Sequence, residues 1–377
     1  MAETAPPTTD RVDVSVLTPV LNEERGIRET VAAMQLQRFD GTVEFLFADG
    51  RSEDRTRAIL LELAERDPRI RVLDNPPRHT PAGLNACLRV ARGEYVARMD
   101  AHTFYPERYL ASGVERLERG DVAWVSGSTV PRPVGAFSLA FALALSSFLG
   151  RGGSQRWGNE GEEEQERELD TGVFCGVWRR DAVLELGGWD ERWPINQDSE
   201  MAARFLARGD RIVCVPEMAG SYVPRESVRA LARQYRRYGF YRAQTFRRHP
   251  DSMRRSHLLA PALALALLAS FAPPRLLRWP AQLAVAAYLA AVGAAAARAA
   301  AVPGQRRAGG LLAVVLPTMH LAWGFGSLAG MARFGLPLRA LVRALGGGAA
   351  SPAEPGDPGD PGEVHAPSLH ADGGPTA

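Results

Sequence analysis

Four short apolar segments near the amino terminus each stop at polar side chains, with a helix-like stretch between each and the next. In "VDVSVLTPVLNEERGIRETVAAM", Val12, Val14, Val16 and Leu17 are β-branched or apolar, Pro19 ends the predicted strand, and Asn22 is placed to cap the helix that follows. "TVEFLFADGRSEDRTRAILLELAERDP" repeats the plan: apolar Val43 to Ala48, then Asp49-Gly50, then a helix opened by Ser52 or Asp54. "RIRVLDNP" gives a third strand, "TPAGLNACLRVARG" a third helix and "EYVARMDAHT" a fourth strand. Such alternation implies an α/β fold with a doubly wound, mainly parallel sheet. Ligands of these sheets bind beyond the carboxyl ends of the strands. Asn22 with Glu23, Asp49, Asn75, and Asp100 with His102 all fall there, which packing alone does not explain. In the fourth strand, alternation would put Asp100 and His102 on one side, aimed at one ligand.

The glycine fingerprint of dinucleotide enzymes is missing after the first strand, since "TPVLNEERG" has no glycine before Gly26. Without a backbone cradle, phosphates need another counter-charge, and a divalent metal held by Asp100 would supply it. Every basic residue is arginine; the absence of lysine excludes a Schiff-base lysine, a Walker A lysine and a kinase-type lysine. A net charge of +2 gives no bias toward nucleic acid. Cys87, Cys175 and Cys214 are too far apart for a metal motif and read as buried small apolar residues in a reducing compartment. "MAETAPPTTDR" has neither the basic start nor the apolar core of a signal peptide.

Composition divides the chain. A disordered start, 1–11, precedes a globular domain at 12–224. From Arg225 to Arg255, ten arginines stand against two acids, Glu226 and Asp251, so 225–256 is expected to be a basic amphipathic segment on a membrane surface. Apolar runs follow at Leu258–Ala272, Trp279–Ala297 and Leu311–Met331. The last two suffice to cross a bilayer, which takes about 20 apolar residues. The first stops at Pro273-Pro274 and reads as re-entrant, in-plane or a third span. Membrane helices are therefore expected over 257–335, the alternative being buried helices of a soluble protein. A basic belt before the first run is what anchoring from the cytosol predicts. Residues 348–377, rich in Pro, Gly, Asp and Ala, read as a disordered tail.

The stretches "SVLTPVLNEE", "FADGRSEDRT", "GLNACLRVARGEYVARMDAHT", "GGWDERWPINQDSEMAARFLARG" and "QYRRYG" resemble a family 2 glycosyltransferase of the GT-A fold, over about Val14 to Gly239. "MDAHT", "ALSSFLGRGG" and "NQDSE" resemble the succinoglycan-type membrane glucosyltransferases. The resemblance implies that Pro19, Asn22 and Glu23 line the nucleoside pocket and that Asp49 accepts a hydrogen bond from the uracil ring. It places Asn85 and Asp100 in the nucleotide-sugar-binding set. Asp100 and His102 occupy the family's metal motif, usually Asp-x-Asp, and imidazole there suits Mn2+ at least as well as Mg2+. Asp198 matches the Asp of the family's Glu-Asp catalytic pair, with Gln197 in place of Glu, so any proton acceptor there is Asp198.

An inverting transfer needs a base for the acceptor hydroxyl and positive charge for the departing nucleoside diphosphate. Partial burial is expected to raise the pKa of a carboxylate in that role. Asp198 is also placed to be the N-cap of the helix "SEMAARFLARG", and both roles can coexist. Trp189 and Trp193, flanking Asp190, suit either stacking on a sugar or the core. Ser147 to Asp170 combines glycines with an acidic run, as a mobile loop over a site or a solvated linker would. "QYRRY" resembles the Gln-x-x-Arg-Trp box of processive relatives, so Gln234, Arg237 and Tyr238 are candidates for acceptor or diphosphate contact, or for anionic lipid.

The expectation is a multi-pass inner-membrane enzyme with its catalytic domain in the cytosol. It would use Mn2+ or Mg2+ to move a hexose from a UDP-sugar, UDP-glucose first, to a polyprenyl-diphosphate-linked saccharide. A processive polysaccharide synthase would need more helices for its channel. A non-catalytic nucleotide-sugar-binding membrane scaffold would not need Asp49, Asp100 and Asp198 together, and a dinucleotide oxidoreductase would carry the missing glycines.

Overall fold

The computed structural model describes residues 11–151, 165–173 and 175–346. The expected segments 1–11 (Arg11 apart) and 348–377, and the central part of the Ser147–Asp170 stretch, lie outside the described residues. In chain order the strands are β1 (Val14–Val20), β2 (Val43–Asp49), β3 (Ile70–Asp74), β4 (Tyr95–Arg98), β5 (Thr103–Phe104), β6 (Trp124–Ser126), β7 (Thr129–Pro131), β8 (Arg167–Leu169), β9 (Gly176–Arg179), β10 (Ile212–Cys214) and β11 (Gly220–Tyr222). Eight of them form one sheet in the order β3-β2-β1-β4-β9-β6-β10-β8. β1 to β4 are mutually parallel, as are β6 and β10, while β9 and β8 run antiparallel to their neighbours. The sheet is mainly parallel, as the sequence implies. β5, β11 and β7 make a small second sheet.

Helices cover both faces of the large sheet, so its strands are apolar on both sides: Val14, Val16, Leu17, Phe45, Phe47 and Val96 are all fully buried. Each such side chain contributes about 1.5–3 kcal/mol over leaving it in water. The strand order reverses at β1, with β2 and β3 on one side and β4 on the other. That reversal opens a crevice at the carboxyl ends of β1 and β4.

Local corrections follow from chain geometry. β1 runs through Pro19 to Val20, because β4 pairs with β1 only over Val14–Leu17 and leaves no ladder bond for Pro19 to donate on that side. Asn22 does not cap the helix Ile27–Gln35, which starts at Gly26 without a side-chain cap. It adopts φ 57° instead and ties two turns together: its N–H donates to Ser52 Oγ and its Oδ1 accepts from the Glu53 N–H. Ser52 and Asp54 likewise precede the helix Thr56–Arg66, whose N-cap position is Arg55. The three cysteines are free and buried, and burial pushes the Cys87 and Cys175 thiols up to about 12.

Beyond β11 come the basic helix Val228–Arg248, a short helix Leu259–Ala269, and the long helices Arg275–Ala300 and Arg306–Phe334. The long pair measure about 39 and 44 Å at about 1.5 Å per residue, and both are apolar enough to cross a membrane, with mean hydropathy 1.6 and 1.5. Only 11% of the most apolar window of Arg275–Ala300 is buried, whereas a core helix of a soluble protein would be mostly covered. The eleven residues of Leu259–Ala269 reach about 16 Å and do not span a bilayer.

One face of the basic helix packs along Arg306–Phe334. A Cβ on Gly326 would meet the Arg236 carbonyl oxygen at 2.1 Å, and one on Gly330 the Phe240 oxygen at 2.3 Å. This is a Gly-x-x-x-Gly approach, with Gly239 facing Trp323 in return.

Candidate functional site

At the carboxyl edge of the sheet, Asp49 closes β2 and is 1% exposed. Its oxygens receive the Ser52 N–H at 3.3 Å, with Arg57 Nη1 at 3.6 Å. These contacts are long for a buried carboxylate, so acceptor capacity remains. Asn75, at the end of β3, is buried beside it; its N–H donates to the Asp49 carbonyl, and its Oδ1 has no partner. The sequence places Asn75 among the polar strand ends without giving it a role.

β4 ends at Arg98, two residues before Asp100, so Asp100 and His102 are not related by strand alternation. The Tyr105 hydroxyl accepts the Asp100 N–H at 2.6 Å and turns the chain. Asp100, 7% exposed, therefore folds back onto Arg98, which is 4% exposed. Arg98 Nε and Nη2 donate to Oδ1 and Oδ2 at 2.8 Å each. Burial alone would pull the Arg98 pKa down, but the charges of Asp100 and then Asp198 raise it. Arg98 thus joins the two carboxylates into one electrostatic cluster, a role invisible in the sequence pattern.

His102 is largely exposed, with Nδ1 3.6 Å from Glu23 Oε1, and that carboxylate raises its pKa above the usual imidazole value. Among the described residues, no three His, Cys, Asp or Glu side chains gather into a closed metal cage. The charge of Asp100 reaches His102, and Glu23 lies beside that ring; carboxylate and imidazole donors of this kind suit a cation that also takes phosphate oxygens. Each Asp100 oxygen gives one lone pair to Arg98 and keeps another. These residues fit Mn2+ or Mg2+ held jointly with a ligand.

Asp198 is 6% exposed. It is the second residue of the helix Gln197–Ala207, whose N-cap is Asn196 with φ 64° and no side-chain cap bond. Asp198 is therefore not the cap; it sits in the first turn, where the helix dipole favours its charge. Glu200, two residues on, is occupied: Arg204 donates to both its oxygens at 2.8–3.0 Å, and His249 Nε2 lies 3.2 Å away. Two further bonds tie this segment to the basic helix, Trp193 Nε1–H to Thr245 Oγ1 at 3.1 Å and Asn196 Nδ2–H to the Tyr238 carbonyl at 3.1 Å.

Several candidates turn out to be held inside the framework. Trp189 is buried and stacks edge-on against Trp178 at 5.7 Å, and Trp193 is buried too, so both are core side chains. Asn85 donates to the Trp189 carbonyl and Glu191, and accepts from the Trp189 N–H, which commits its amide to pinning that loop. Arg192 takes both Asp190 oxygens. Gln234 donates to the Tyr238 hydroxyl at 2.8 Å, while Arg237 is exposed. Pro19 lies in β1, and Asn22 and Glu23 follow its carboxyl end.

A model of "Glycosyl transferase family 2" matches residues 15–181. The "Succinoglycan biosynthesis protein ExoA" of Rhizobium meliloti is 32% identical over 325 residues, covering 82% of this chain and 92% of that protein. The chain belongs to glycosyl transferase family 2. A Methanococcus voltae relative, "Dolichyl N-acetyl-alpha-D-glucosaminyl phosphate 3-beta-D-2,3-diacetamido-2,3-dideoxy-beta-D-glucuronosyltransferase", is 23% identical over 60% of this chain and 71% of its own length. The solved structure of "Mannosyltransferase PcManGT from Pyrobaculum calidifontis in complex with GDP-Man and Mn2+" superposes with a TM-score of 0.50 at 23% identity, covering 84% of this chain and 89% of that one. The fold is GT-A, and the protein is a family 2 glycosyltransferase of glycan biosynthesis.

Proposed function

We propose that the enzyme transfers a hexose from a UDP-sugar, UDP-glucose first, to a lipid-linked saccharide at the cytosolic face of the inner membrane. The observation that carries this is the cluster at the carboxyl edge: Asp49, Asp100 and Asp198 are all buried there, and Arg98 feels the charge of the last two. Asp49, with Asn75 Oδ1 beside it, offers acceptors to a nucleobase N–H. Pro19, Asn22 and Glu23 border the nucleoside. Asp100 and His102 would hold Mn2+ or Mg2+ with the donor diphosphate, where the cation offsets the charge of the leaving group. Arg98 holds the Asp100 carboxylate in place. Asp198 takes the proton from the acceptor hydroxyl as it attacks the anomeric carbon, which inverts that centre. Two long apolar helices and the ten-arginine segment before them support a multi-pass anchor with the catalytic domain in the cytosol.

The test is nucleotide release by membranes carrying the full chain, with Mn2+ and each of UDP-glucose, UDP-galactose and UDP-N-acetylglucosamine. GDP-mannose, the ligand of the Pyrobaculum protein, serves as the control. Release from a UDP-sugar that requires the metal and an endogenous lipid fraction is expected. Release from GDP-mannose alone would overturn the UDP assignment.

A further inference from the structure

Asp198 belongs to a segment whose two ends are held by different parts of the molecule. The start is fixed by the catalytic module: Arg204 Nη1 and Nη2 donate to the Leu186 and Gly188 carbonyls at 2.6 and 2.8 Å, and Asn85 grips Trp189 and Glu191. The end that carries Asp198 is held by the basic helix Val228–Arg248. Trp193, 4% exposed, donates its Nε1–H to Thr245 Oγ1, and Asn196 donates its Nδ2–H to the Tyr238 carbonyl, at 3.1 Å each. Thr245 is fully buried and gives its own hydrogen to the Tyr241 carbonyl at 3.3 Å, which turns a lone pair toward Trp193. His249, which closes the basic helix, reaches Glu200 at 3.2 Å. These contacts fall on both sides of Asp198 and come from one helix.

Asn196 stands at the N-cap position with φ 64°, in the left-handed region, and makes no side-chain cap bond. A residue other than glycine stays in that region where its surroundings over-determine it. An N-cap Asn ordinarily turns its side chain onto its own helix. Here the amide goes to the Tyr238 carbonyl, so the start of the Asp198 helix is registered against a second helix. That second helix is itself braced. At about 3.6 residues per turn, Thr245 lies opposite Arg236, Gly239, Phe240 and Ala243, the positions that meet Gly326, Gly330 and Trp323 of Arg306–Phe334.

We infer that the basic helix is a strut that positions Asp198, with Asn196 and Thr245 as positioning residues for the transfer step. Neither touches the reacting atoms. Each fixes where the helix Gln197–Ala207 begins, and so where the carboxylate of its second residue meets the acceptor hydroxyl. Asp49 and Asp100, on the donor side, are held by Ser52, Arg57 and Arg98 instead. The assignment rests on Asp198 being the proton acceptor, as proposed above.

The test is UDP release by the full chain in membranes, with Mn2+ and the UDP-sugar of highest turnover. Rates are expressed per UDP-binding site titrated on the same preparation, so that unfolded molecules do not count. Asn196→Gly keeps the positive φ and removes the Tyr238 bond; Thr245→Val keeps the shape and removes the hydroxyl. Each should lower turnover by about 10- to 100-fold, since a misplacement of about 1 Å can cost 10²-fold, with donor KM and UDP affinity unchanged. Thr245→Ser restores the hydroxyl and should restore most of the turnover, which a loss of packing alone would not predict. In the Asp198→Asn background, Asn196→Gly should cost nothing more, because residues that act through one group are not additive. Wild-type turnover in Asn196→Gly and Thr245→Val, beside a strongly impaired Asp198→Asn, would overturn the strut and leave Asp198 as the base. A full further loss on top of Asp198→Asn would also overturn it, since Asn196 would then act elsewhere. Near-normal turnover in Asp198→Asn would remove the base itself, and the strut with it.

Discussion

β2 carries a buried carboxylate at each end, and the two are treated differently. Glu44, near its start, receives the Ser15 hydroxyl at 2.7 Å, the Arg92 N–H at 2.8 Å and Arg92 Nε at 3.1 Å, with Arg71 at 3.5 Å. Burial would raise its pKa, yet the Arg92 and Ser15 bonds win and lower it. Asp49, at the other end, has contacts of 3.3 Å or longer. One end of the strand is closed by protein and the other is left for a ligand to complete. Burial of a carboxylate alone does not mark a site; buried acceptor capacity facing a crevice does.

That contrast can be broken most strongly at Asp198. Asp198→Asn keeps size and removes the proton acceptor, so UDP release should fall by about 10²–10⁴-fold with UDP affinity and melting temperature little changed. Because Asn196 holds the cap position, retained helix capping cannot account for either result, and near-normal turnover would clear Asp198 of the role. Next comes Glu44→Ala, which leaves the buried Ser15 hydroxyl and the Arg92 N–H without their acceptor and should cost about 1–3 kcal/mol, read as a fall in melting temperature with unchanged UDP affinity in the folded fraction. Asp49→Ala should do the reverse, weakening UDP by at least about tenfold through a lost charge-assisted bond while barely moving the melting temperature. If both variants lose stability and neither loses UDP, the two ends of β2 are equivalent after all.

Smaller effects sharpen the picture elsewhere. Gly326→Leu would drive a side chain into the Arg236 carbonyl and should destabilise by about 1–3 kcal/mol, seen as a lower melting temperature of the full chain; an unchanged melt would mean the helices do not pack this closely. Asp67 is held by Arg69 at a pKa of about 2 against 3.8 ordinarily. The folded state therefore binds fewer protons, so its stabilisation is present above about pH 4 and lost as the pH falls toward 2. Both groups are partly exposed, so Asp67→Asn should cost under about 1 kcal/mol at pH 7 and nothing measurable at pH 2.

The first four strands, their helices and the polar strand ends were legible in the sequence because alternation and apolar runs are local signals. Asp100 and Asp198 were legible through the family pattern. Turn detail was not: Asn22 bridges to Ser52 rather than capping, because the partner turn lies 30 residues away. Arg98 read as one more strand residue, since only the chain reversal fixed by Tyr105 brings it onto Asp100. The arginines of "RQYRRYGFYRAQTFRR" suggested lipid headgroups; the packing of one face against Gly326 and Gly330 depends on partners far along the chain and left no local signal.

The central claim is that the carboxyl edge of the sheet takes a nucleotide-sugar together with a divalent cation, with Asp100 at the join. Titrating UDP calorimetrically into the full chain, with Mn2+ and then with the metal chelated, in the wild type and in Asp100→Asn, tests it most directly. UDP should bind the wild type in Mn2+, and at least about tenfold more weakly once the metal is removed or Asp100 is replaced, through a lost charge-assisted contact. Equal UDP affinity with and without the metal, and in Asp100→Asn, would contradict the account.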